Sequence, residues 1–127
     1  MEGKREYLQD HVLSADALMF DLNEEVTQLR NELASNRDRR GKPLVKQRNL
    51  NVVLTAMRKG TELREHDVAG PAFVQVLDGA VEVRLDNSTI GVSKGQMVVF
   101  DSRVRHHVRA LEDSAILIGV TGEPGGS

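Results

Sequence analysis

The sequence predicts a mainly β domain, an antiparallel sandwich or barrel, preceded by one amphipathic helix. Three observations carry that prediction. From Leu44 onward the chain runs in short apolar stretches rich in β-branched residues, each bounded by Gly, Asp, Asn or Ser. No helical period interrupts those stretches, so alternating βαβ units are disfavoured. Ahead of them, Leu22, Val26, Leu29 and Leu33 recur at spacings of four, three and four, which puts them on one helical face.

Taken in order, residues 1–20 read as an N-terminal arm, with a short helical stripe of Tyr7, Leu8, Val12 and Leu13 as the alternative. Asp21 is placed to cap the helix, with Glu24 three residues on completing a capping-box pattern. The helix is expected over roughly 22–34, packed on its own domain, with docking of a partner chain as the alternative. Asn36 to Pro43 reads as a polar, locally basic loop, so that residues 21–43 form a helix-and-loop unit. The barrel is expected over 44–121, with strands near 44–47, 50–58, 72–78, 80–86, 89–92, 97–100, 105–110 and 114–120. Asp78-Gly79 predicts a tight hairpin, because Asp-Gly supplies the positive φ such a turn demands. Asp86-Asn87-Ser88 and Lys94-Gly95 mark the next two turns, and residues 122–127 have the composition of a disordered end.

Composition removes several function classes. With 127 residues the chain suits one domain that buries its own core. There is no cysteine, which excludes disulfides, thiolate catalysis and Cys-ligated metals. Aromatics make up 3% of the chain and the formal charge is −2, so neither stacking surfaces nor a basic excess favours nucleic acid. The basic loop near residue 40 is offset by acidic residues within the first fifty positions. No apolar run approaches the roughly 20 residues of a membrane span, and the N-terminus shows no signal-peptide pattern; a cytoplasmic protein without a membrane partner is expected. Neither a Gly-x-Ser-x-Gly elbow nor a phosphate-binding glycine loop is present.

One stretch joins these elements into a pattern. Gly60 is followed after five residues by His66; Val74-x-Val76-Leu77-x-Gly79 comes next; Gly95 then precedes His106. Over about residues 50–120 this resembles the cupin superfamily of double-stranded β-helix (jelly-roll) barrels. The family's typical pattern places three His and one Glu around one divalent metal inside the barrel. Carried over position by position, the first His is His66 and the last is His106, whereas the second His position holds Val68 and the Glu position Ala72. The Pro and Gly of the second motif are Asp101 and Arg103, and its Asn is Ala110.

The resemblance therefore implies a cupin barrel with half of its usual ligands. His66 and His106 are the candidates for the pocket and for an incomplete metal set, the metal being a divalent transition ion (Fe, Mn, Zn or Ni). Gln75 is added as a pocket candidate, on the condition that a bulge near Gly70-Pro71 changes the phase of its strand; regular alternation points residues 74 and 76 inward and 75 outward. His107 is expected to face away from His106. Two functions follow as expectations: a small-molecule-binding cupin with a degenerate metal site, or a metal-dependent enzyme of dioxygenase, isomerase or decarboxylase type using His66 and His106. The resemblance also implies a homodimer.

Overall fold

The computed structural model describes residues 16–65 and 69–122. His11, most of the expected arm, His66, Val68 and the residues after 122 lie outside the described residues. Among the described residues one helix, α1 (Leu22–Glu32), precedes nine strands. These are β1 (Arg39–Lys46), β2 (Leu50–Met57), β3 (Glu62–Glu65), β4 (Ala72–Asp78), β5 (Ala80–Arg84), β6 (Thr89–Ser93), β7 (Met97–Phe100), β8 (His106–Ala110) and β9 (Ser114–Thr121). Two antiparallel sheets face each other, one in the order β1-β2-β9-β4-β7 and the other β3-β8-β5-β6. This is the jelly-roll arrangement expected from the sequence.

Alternation along each strand sorts side chains between two apolar layers. Ala72, Val74 and Val76 of β4, Val81 and Val83 of β5, Val108 and Ala110 of β8, and Ile116 and Ile118 of β9 fill the space between the sheets. The opposite faces of β2 and β9 present Leu54, Ala56, Ala115 and Leu117 to Val26 and Leu29 of α1. Each fully buried aliphatic side chain of this kind stabilises the fold by roughly 1.5–3 kcal/mol. The helix starts as its sequence dictates: Asp21 accepts a hydrogen bond from the Glu24 backbone N–H at 3.2 Å. Its polar side is tied down too. Arg30 donates to Asp78 at 2.6 Å, and Lys42 donates to the buried Glu25 at 2.6 Å.

Three expectations are corrected. Gly79 does not turn a hairpin: β4 and β5 belong to different sheets, and the glycine (φ +92°) carries the chain round the corner between them. A Cβ there would lie 2.6 Å from the Asp113 carbonyl oxygen, so the corner needs glycine for space as well as for φ. The basic loop becomes strand at Arg39, five residues before Leu44, where an exposed edge strand tolerates charged side chains on its solvent side. And β3 was not expected, because Leu63 is its only apolar residue. It forms because its backbone pairs with β8 from Glu62↔Arg109 to Glu65↔His106. Among the described residues no helix is long and apolar enough to cross a membrane.

Candidate functional site

One end of the jelly roll gathers the start of β8, the ends of β3, β5 and β7, and the start of β4. His106 is the polar side chain that turns inward there. It opens β8, whose residues alternate between buried and accessible, so His106, Val108 and Ala110 face the interior. The ring is 3% exposed and lies flat on Phe100, with centroids 4.0 Å apart and planes 5° from parallel. Its Nδ1 sits 3.2 Å from the Val104 carbonyl oxygen, a partner that can only accept, so Nδ1 carries the proton. In the neutral ring that leaves Nε2 as a lone-pair acceptor, and among the described residues nothing donates to it.

His107 points the other way. It is half-buried on the outer face of its sheet, in register with Arg64 on one side and Arg84 on the other. Gln75 does not join the pocket. Ala72, Val74 and Val76 face the interior, and Gln75 stands on the opposite face beside exposed Met97 of β7. The irregularity in β4 falls between Val76 and Asp78, beyond Gln75, so no phase change brings that side chain inward. His66, the second candidate of the pair, lies outside the described residues. Phe100 and the Val104 carbonyl, which hold His106 in place, were not singled out from the sequence; their signal is the inward phase that Phe100 and His106 share.

The donors do not fit the family's usual metal set. That set needs four groups converging from adjacent strands, and the carboxylate position is the methyl of Ala72, 4% exposed and facing the interior. Among the described residues no three His, Cys, Asp or Glu side chains stand together in a way that holds a metal ion.

Beside His106 the surface opens into a cleft of roughly 600 Å³, lined by Leu85, Asp86, Asn87 and Ser88 from the β5–β6 turn and by Arg103, Val104 and Arg105 from the loop into β8. Leu85 and Val104 form its apolar floor and pack against the interior cluster. Val104 is shared, lining the cleft with its side chain and holding the His106 ring with its carbonyl. The turn is closed by the Leu85 N–H donating to Ser88 O at 2.7 Å. On the outer face of the same sheet, Glu82 lies 3.5 Å from Arg84 and 4.0 Å from Arg109.

Comparison with known proteins agrees with this geometry. The sequence model of the cupin domain matches residues 53–120. A conserved protein of unknown function from Streptococcus pyogenes superposes with a TM-score of 0.66 at 24% identity, covering 86% of this chain and 90% of that one. A cupin 2 conserved barrel domain protein from Leptotrichia buccalis gives 0.69 at 29% identity, covering 81% of this chain but 47% of the other. A cupin-2 domain containing protein from Shewanella frigidimarina gives 0.64 at 14%, covering 82% and 95%. Among curated proteins nothing matches. Two facing antiparallel sheets in jelly-roll order, with the family's sequence pattern across more than half of the chain, make this chain a member of the cupin domain family.

Proposed function

We propose that this cupin binds a small organic molecule at the His106 end of its barrel, without the metal that the family's full ligand set would hold. The observation that carries this reading is the Nε2 of His106. A buried nitrogen whose ring is fixed by Phe100 and the Val104 carbonyl, yet which meets no donor among the described residues, costs about 1–3 kcal/mol unless something satisfies it. A ligand hydroxyl or amide N–H reaching past Val104, the residue shared by the cleft and the His106 hydrogen bond, would do so. The cleft sets a small apolar floor, Leu85 and Val104, under five polar or charged residues, a lining that suits a polar ligand better than an apolar one. A homodimer remains part of the proposal, supported by exposed Met97 and Val99 on the edge strand β7. So does a cytoplasmic location, supported by the absence of cysteine.

The test is a ligand screen on the isotopically labelled full chain, read by amide chemical shifts and paired with elemental analysis of protein purified without chelators. Hits should move the amides of Phe100, Val104 and His106, and His106→Phe should lose them while remaining folded. Metal content should be far below one ion per chain. Stoichiometric metal that disappears in His106→Phe would reverse the conclusion in favour of a metal-dependent enzyme.

A further inference from the structure

Arg103 stands where the backbone asks for glycine. Its φ is +63°, and among the described residues no other non-glycine has a positive φ. Asp101 and Val104 close a turn around it: Val104 N–H donates to Asp101 O at 3.4 Å, and the Asp101 carboxylate accepts from Ser102 N–H at 2.7 Å. Arg103 is the third residue of that turn, where a positive φ favours glycine, and the resembling family pattern has glycine at this position. A side chain held against local preference is a pointer to function when it also faces a site. This one does: Arg103 lines the cleft beside His106, and so does Arg105.

Both guanidiniums are exposed, and among the described residues neither makes a hydrogen bond or an ion pair. Arg64, beside His107 on the outer face, does not line the cleft. Arg84 pairs with Glu82, and Arg109 reaches the same carboxylate. Among the described residues lining the cleft Asp86 is the only acidic one, so two cations stand beside one anion. A planar guanidinium presents donors in a fork that matches the two oxygens of a carboxylate or phosphate.

We propose that Arg103 and Arg105 make the cleft an oxyanion-recognition site, so that the barrel's ligand is a small metabolite bearing a carboxylate or a phosphate. This rests on the small-molecule reading above and names its substrate class. The anion sits between the two arginines at the rim, and Asn87, Ser88 and Asp86 meet its hydroxyl groups. His106 lies one residue beyond, across Val104.

The experiment is an amide chemical-shift titration of the full chain at low salt with sodium gluconate, glucose 6-phosphate and, as the neutral control, glucose. At least one anion should move the amides of Ser88, Val104 and Arg105 saturably, with a Kd tighter than ~1 mM, and glucose should not. Response to gluconate alone assigns a carboxylate, and response to glucose 6-phosphate alone assigns a phosphate. Arg103→Gln and Arg105→Gln should each weaken binding tenfold or more, and Arg109→Gln should leave it unchanged. Silence toward both anions, or arginine variants that bind as well as the parent, overturns the proposal. If neutral compounds occupy the cleft in the broader screen while the anions do not, the oxyanion assignment fails and the small-molecule reading survives. If nothing reaches the cleft in either experiment, both fail.

Discussion

Replacing Arg103 by glycine should make this protein more stable. At φ +63° a residue with a Cβ is in the left-handed region, which costs roughly 1–2 kcal/mol relative to the right-handed one. Glycine adopts it without that penalty, but its extra freedom in the unfolded chain returns about 0.4–1 kcal/mol. The arginine side chain is exposed and unpaired among the described residues, so its loss removes little. The balance is a gain of about 0.5–1 kcal/mol. At roughly 2.1 cal/mol/K per residue, 127 residues give an unfolding entropy near 0.27 kcal/mol/K, so the midpoint should rise by about 2–4 °C. Arg103→Ala is the control, because it deletes the guanidinium but keeps the Cβ. It should unfold close to the parent, below Arg103→Gly. Urea denaturation followed by circular dichroism, with unchanged m-values, reads both differences. A glycine variant no more stable than the alanine variant would refute the reasoning: the turn would then carry no strain, and nothing would mark Arg103 as kept for its side chain.

Other parts of the molecule yield further tests. A Cβ at Gly119 would fall 2.1 Å from the Phe73 ring, so Gly119→Ala should cost about 1–3 kcal/mol. In a Phe73→Ala background the same change should cost less than ~0.5 kcal/mol, and a double-mutant cycle in urea would show the coupling. The Arg30 guanidinium, donating to Asp78, holds that carboxyl below its ordinary value, with Lys94 adding a smaller pull in the same direction. A depressed folded-state value means stability that is full above the ordinary carboxylate range and is lost as pH falls through the folded value. The advantage of the parent over Asp78→Asn, at most about 0.5 kcal/mol for so exposed a pair, should therefore be present at neutral pH and vanish in strong acid. His106→Phe keeps a flat ring against Phe100 and removes the unmet nitrogen; its melting midpoint should stay within a few degrees of the parent.

The fold was legible because its signals are local. Capping at Asp21, the Leu22 to Leu33 stripe, the alternation of β4 and β5 and the continuous apolar run of β9 each follow from a few neighbouring residues, and each appears as expected. What was misread depended on partners distant in sequence. Glu62-Leu63-Arg64-Glu65 carries too little apolar character to announce a strand, yet β8 supplies its hydrogen bonds. Asp78-Gly79 has the chemistry of a hairpin turn, but whether the chain folds back or crosses to the other sheet is decided by where β5 finds its partners, β6 and β8. A turn residue fixes a local angle; it does not choose the strand beyond it.

At the site the same distinction holds, and it explains where charge resides in this barrel. The inward phase of His106 and the apolar character of Ala72 could be read from alternation and the family pattern, whereas the cleft could not, since it is made by two loops joined only in space. Those two halves fit one physical account. Ala72, Val74, Val76 and Val83 offer nothing to compensate a buried ion, and burying an uncompensated charge is prohibitive. On the proposed oxyanion reading, positive charge for the ligand comes from outside the apolar layer. Arg103 and Arg105 supply it there, where water still solvates them when the site is empty. Ala72 at the family's carboxylate position and Arg103 at its glycine position fit that reading together. Under the proposal the charged groups of the site stand at the barrel rim rather than on its axis, with His106 beside them as the hydrogen-bonding group.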